Sequence, residues 1–145
     1  GCLGKDAARV FLPISVPYVV HHGALGSFAS AYLPDDADRA DIMARLAKIE
    51  GMDVVLDNAA ACERFELPND RIGDIVFLST ENMTLGTSEH RHDLAALNEP
   101  LRSHGGLTEQ VVPFIVNRKL PDLPDAPALR NFDAFHYAAM AAALV

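Results

Sequence analysis

The chain has 145 residues, 50% of them hydrophobic, and carries 12 Lys and Arg against 20 Asp and Glu, a formal net charge of -8. That length suits one domain or two closely joined lobes, and the apolar content argues against a disordered chain. The acidic balance disfavours generic binding to nucleic acid or anionic lipid, and no apolar run approaches the roughly 20 residues that cross a bilayer.

In chain order, Val10-Phe11-Leu12-Pro13 and Pro17-Tyr18-Val19-Val20 are short apolar runs punctuated by proline, which predict a loosely extended lead-in. Ser27 to Leu33 alternates the large Phe28 and Tyr32 with small residues, is preceded by Gly23 and Gly26, and stops at Pro34: a strand. Carboxylates from Asp35 to Asp38 then open a helical pattern. Its apolar face is Ile42, Leu46 and Ile49, with Met43 beside them and Gly51 as the expected C′ residue. Val54-Val55-Leu56 predicts a buried strand, Asn58 is placed to cap a helix over Ala59 to Phe65, and Pro68 forbids its continuation. Gly73 to Ser79 predicts a second buried strand. The order β-α-β-α-β from Ser27 to Ser79 implies a small α/β or α+β lobe of two layers.

Glu81 to Asn98 is polar and shows no sustained period, as in a loop or excursion. Val111-Val112-Pro113-Phe114-Ile115-Val116 is apolar enough for a core strand. Pro121, Pro124 and Pro127 mark a surface crossing, and Asn131 is placed to cap a terminal helix over Phe132 to Leu144 with a buried stripe of Phe135, Ala139 and Ala142. There are no internal repeats and no low-complexity tracts.

Cys2 and Cys62 stand in no metal or redox spacing, which fits a reducing, cytoplasmic setting. The six histidines are His21, His22, His90, His92, His104 and His136. His21 and His22, as neighbours, point to opposite sides of an extended segment and cannot share one ligand. His90 and His92 fall on one side of such a segment, a spacing metal sites use, although a solvated charged loop is the better reading of them. His136 lies in the terminal helix as a surface or hydrogen-bonded residue. His104 differs because Gly105 and Gly106 follow it, letting the backbone turn sharply and leaving room for an ion or substrate, while Thr108 or Glu109 can close the turn. One imidazole does not make a metal site, since catalytic zinc takes three protein ligands. No activated Ser or Thr nucleophile and no Gly-rich phosphate cradle is visible. By spacing alone, the chain holds no complete active site and no assignable catalytic or cofactor-binding residue.

Three segments carry a resemblance. They are Leu12-Pro13-Ile14-Ser15-Val16-Pro17-Tyr18-Val19-Val20-His21-His22-Gly23-Ala24-Leu25-Gly26-Ser27; Cys62-Glu63-Arg64-Phe65-Glu66-Leu67-Pro68-Asn69-Asp70-Arg71-Ile72-Gly73-Asp74; and Arg102-Ser103-His104-Gly105-Gly106 with Glu109 and Val112-Pro113. Together they resemble the C-terminal portion of the phosphonoacetate hydrolases, two-metal enzymes of the alkaline phosphatase superfamily. The resemblance covers nearly the whole chain, and the combination is specific, whereas the His-Gly-Gly segment alone indicates only the superfamily.

The resemblance implies a zinc-dependent hydrolase that splits the carbon–phosphorus bond of phosphonoacetate into acetate and phosphate. Two zinc ions would neutralise the phosphonyl oxygens and the entering and leaving atoms, with His104 as one zinc ligand. The family's threonine nucleophile, its other metal ligands and its Asp-His-Gly segment have no counterpart here. That absence, with an opening Gly1-Cys2-Leu3-Gly4 lacking Met, leads us to expect a C-terminal fragment, inactive alone. Residues 1–98 would then form a cap-like lobe with its lead-in and linker, and residues 99–145 a strand and helix of an alkaline-phosphatase-like core. The implied partners are a small phosphonate and the upstream part of the same enzyme, with no nucleic acid and no membrane; a homodimer is an open alternative to the monomer. Two other readings stand beside this one: a superfamily phosphodiesterase or phosphomonoesterase, and a non-catalytic α/β binding module in which every histidine is structural.

Overall fold

Short β-prone runs separated by capped eight-residue helices give the first part of the chain its architecture. The computed structural model describes residues 8–12, 26–86, 104–117, 120 and 129–143. It divides into two compact units, Gly1–Val111 and Val112–Val145. In the first lie β1 (Arg9–Phe11), β2 (Phe28–Tyr32), α1 (Arg39–Leu46), β3 (Met52–Asp57), α2 (Asn58–Phe65) and β4 (Ile75–Ser79). The second holds α3 (Asp133–Ala143).

The four strands form one antiparallel sheet in the order β1-β2-β4-β3. The central strand β4 is buried at every residue. It pairs with β2 from Phe28↔Leu78 to Ala31↔Ile75 and with β3 from Val54↔Leu78 to Asp57↔Ile75, with Asp53 bulged out between Met52 and Val54. The lead-in predicted as loosely extended contributes an exposed edge strand, β1, pairing Val10 with Ala31.

Side chains alternate across β4, and the two helices divide between its faces. Ile75 and Phe77 pack with Ala29, Ala31, Ile42 and Leu46, so α1 covers one side. Val76 and Leu78 pack with Val54 and Ala61, so α2 covers the other. The lobe is therefore three-layered, and the expectation of two layers is corrected. A strand apolar at consecutive positions, Ile75-Val76-Phe77-Leu78, requires cover on both faces, as fully buried strands do.

The helix ends depart from expectation in two places. In α1 the Asp38 carboxylate accepts the Asp41 N–H at 3.0 Å, as an N-cap should. The helix stops at Leu46, however, and successive tight turns carry the chain through Ile49, so Gly51 (φ 81°) serves the last turn before β3 and is not the helix C′. For α2 the cap is Asp57, whose carboxylate accepts the Ala60 N–H at 2.8 Å; Asn58 is the first helical residue. The reason is that the last strand residue keeps extended dihedrals and points its side chain at the free N–H groups. Asn58 instead uses its amide NH2 as a strap, donating to the carbonyls of Asn69 (3.2 Å), Ile72 (3.3 Å) and Gly73 (3.1 Å). Gly73 then donates its N–H to the buried Ser30 hydroxyl at 2.6 Å, tying the loop before β4 to β2.

In the second unit two further expectations are corrected. Residues 112–116 run without a strand partner among the described residues, and their side chains are exposed; Pro113 removes one N–H that a ladder would need. In α3 the residue that packs is Tyr137, whose ring meets Phe114 edge to face at 6.0 Å, while Phe135, Ala139 and Ala142 are exposed. Among the described residues of α3 only Tyr137 is buried, with Ala134 and Ala141 half-buried on the same side, because the aromatic ring with a partner sets the inward direction. Asn131 does not cap by its side chain; the first turn is closed by Asp133, whose carboxylate accepts the Arg130 N–H at 2.8 Å. Among the described residues, no helix is long and apolar enough to cross a membrane.

Candidate metal-donor loop at His104

His104 begins a bend of three residues, His104 to Gly106, that runs into a single 3-10 turn, Leu107–Glu109. Gly105 has φ 87°, a left-handed conformation that glycine adopts without a Cβ clash, so the turn predicted from Gly105-Gly106 is present. Its main chain is tied to the sheet. The Ser27 N–H donates to the His104 carbonyl at 3.0 Å, and the Ser27 carbonyl accepts the Ser79 N–H at 3.0 Å. One residue earlier, Gly26 exchanges both backbone bonds with Leu85.

The far side of the bend is closed by its own sequence. Glu109 folds back so that one carboxylate oxygen accepts the Gly106 N–H at 2.9 Å, while the other accepts the Thr108 hydroxyl at 2.5 Å. This is the carboxylate half of a capping box, with glycine in the cap position. Gly106 is buried, and a Cβ there would lie 2.6 Å from the Glu109 carboxylate and 3.1 Å from Ser27 Cβ. Leu107 packs against the cluster of Val54, Ala61, Val76 and Leu78. The main chain around His104 is thus held at three points, whereas the residue itself is exposed. An exposed imidazole on a fixed main chain suits a donor to something outside the loop.

Among the described residues, no group of three or more His, Cys, Asp or Glu side chains is placed to hold a metal ion. His104 does not make a metal centre by itself. His136 is exposed on α3, its ring edge-on to Tyr137 at 5.2 Å. Cys62 is a free, half-buried thiol 3.7 Å from the Asn58 side-chain oxygen, a packing role on α2. Cys2, His21, His22, His90 and His92 lie outside the described residues. The contribution of Ser27 was not visible in the sequence, because a backbone donor has no side-chain signature. The Gly-x-x-Glu spacing from Gly106 to Glu109 was the available signal for the clasp.

These features define an antiparallel α/β lobe that presents one histidine on a glycine-hinged, clasped loop. No family model matches the chain. Among solved structures it is similar to phosphonoacetate hydrolase from Sinorhizobium meliloti 1021, crystallised with phosphonoacetate: 78% identity, TM-score 0.77, over 97% of this chain. The same enzyme with phosphonoformate gives 78% identity and TM-score 0.78. The relationship to phosphonoacetate hydrolase that the three segments imply is therefore shown. The chain spans 34% of the length of the enzyme it matches.

Proposed function

We propose that the protein is part of a phosphonoacetate hydrolase, which adds water across the carbon–phosphorus bond to give acetate and phosphate. The observation that carries this is 78% identity over 97% of the chain to an enzyme crystallised with phosphonoacetate. On this reading His104 is one ligand of a zinc centre of the alkaline phosphatase superfamily type, and the remaining ligands and the nucleophile belong to other parts of the polypeptide. Bound zinc would supply Lewis-acid stabilisation of charge on the phosphonyl oxygens. This chain's residues hold the donor: Ser27, Glu109 and Leu107 fix the main chain from which the imidazole projects. We further propose that the sheet lobe, residues 1–98, covers the site and keeps water from it, that residues 99–145 belong to the catalytic core, that the 145 residues alone are inactive, and that the enzyme acts in the cytoplasm.

The test is phosphate and acetate release by the full-length enzyme, with phosphonoacetate set against phosphate monoesters and diesters. The expected result is a kcat/KM at least about 100-fold higher for phosphonoacetate, the discrimination a site built around the substrate's second charged group can reach. A higher kcat/KM for any ester would replace the substrate assignment. Turnover by the isolated 145 residues would overturn the claim of inactivity.

A further inference from the structure

We infer that Glu109 is a positioning residue for His104: by closing the Gly106 turn it holds the imidazole where it can reach a metal ion. The inference rests on the reading of His104 as a metal ligand and adds the part of the machinery that sets its place. Glu109 closes its own loop: one oxygen accepts the Gly106 N–H at 2.9 Å and the other the Thr108 hydroxyl. Gly106 is two residues from His104, so the clasp acts directly on the segment that carries the ring. Separately, the His104 carbonyl is pinned by the Ser27 N–H, and the Ser27 carbonyl is bonded to Ser79 of the central strand.

Two anchors of different kind thus bracket the histidine. The Ser27 anchor is a main-chain bond, donated by the backbone N–H and not by the side chain. The Glu109 anchor depends on a side chain of one particular length, because its acceptor, four bonds beyond Cα, returns to the N–H three residues back. Packing supports the same assignment. The volume that a Gly106 side chain would fill is occupied by the Glu109 carboxylate and by Ser27, so the glycine and the glutamate form a matched pair. A flexible loop would leave His104 to be ordered at the moment of metal binding, at an entropic cost; the clasp removes that cost beforehand.

The experiment is a zinc-affinity cycle on the full-length enzyme, measured by competition with a chromogenic chelator and by bound-metal content. The variants are His104→Ala, Glu109→Ala, Glu109→Gln and the double variant His104→Ala/Glu109→Ala. Glu109→Ala is expected to weaken zinc binding about 10- to 100-fold, the range seen when groups that orient a metal ligand are removed. Glu109→Gln keeps the acceptor and should stay within about threefold of the parent. The double variant should bind zinc as His104→Ala does, because Glu109 acts through the histidine. If Glu109→Ala does not fold, Glu109→Asp, too short to reach the Gly106 N–H, enters the same cycle. Loss of affinity in His104→Ala with none in Glu109→Ala or Glu109→Asp would overturn the positioning role alone. An equal loss from Glu109→Ala in the His104→Ala background would also overturn it. An unchanged affinity in His104→Ala would overturn the ligand reading and the inference with it.

Discussion

Two apolar runs of nearly the same composition meet opposite fates in this chain. Ile75, Val76, Phe77 and Leu78 are 0 to 6% exposed in the middle of the sheet, whereas Val111 and Ile115 are 89% and 88% exposed. Both runs are rich in β-branched residues and either could form a strand. What separates them is partners: β4 is hydrogen-bonded on both edges and covered on both faces, while the second run has no strand beside it among the described residues. Apolar composition states that a segment gains by burial; it does not state what will cover it.

The comparison can be broken most directly by truncating one residue in each run. Ile75→Ala should cost about 2–5 kcal/mol in urea unfolding of the chain, since it empties a site enclosed by Ala29, Ala31, Ile42 and Phe77. Ile115→Ala should cost less than about 0.5 kcal/mol in the same measurement, as an exposed side chain does. Equal costs would show that the second run is packed after all. In the full-length enzyme a cost for Ile115→Ala that rises to the level of a core truncation would identify the run as an interface with the rest of the polypeptide.

A smaller effect tests how tightly the β4 side is assembled. Gly73→Ala places a Cβ 2.3 Å from the Ala31 carbonyl oxygen and 2.7 Å from the Ser30 hydroxyl. The first of these is backbone of β2 and cannot turn aside, so about 1–3 kcal/mol of stability should be lost. A neutral substitution there would mean that the loop and β2 separate more easily than their hydrogen bond indicates. The smallest effect concerns the cap of α2. Asp57→Ala should destabilise by about 1 kcal/mol, and Asp57→Asn, which retains a capping oxygen, by a few tenths at most. No loss in Asp57→Ala would overturn its capping role; a loss in Asn58→Ala would report the strap to Asn69, Ile72 and Gly73 and not the cap.

Much of the first unit was legible because its signals are local. Pro34 and Pro68 end elements, Asp38 caps α1, and Ile42 and Leu46 face the core, each within a few residues of its cause. The errors arose where two neighbours compete for one role. Asp57 and Asn58 are both good caps, and only the strand dihedrals at Asp57 decide between them. Phe135 and Tyr137 are both apolar anchors, and only the ring of Phe114 decides which turns inward. At the candidate site, the Gly-Gly turn and its closing glutamate were readable from spacing. The bond from Ser27 was not, since it joins residues 77 positions apart in sequence through main-chain atoms.

The sequence by itself determined the relationship to phosphonoacetate hydrolase, the alternation of short strands with capped helices, and the histidine that precedes two glycines. Each of these is written in residue identities at short range, where dihedral preference and capping chemistry act. Only the tertiary structure decided that both faces of β4 are covered, that the Val111 to Val116 run has no strand partner among the described residues, and that Ser27 and Glu109 both grip the loop. Burial and long-range hydrogen bonding depend on which segments meet in space, and that is a property of the assembled sheet, not of any one stretch of chain.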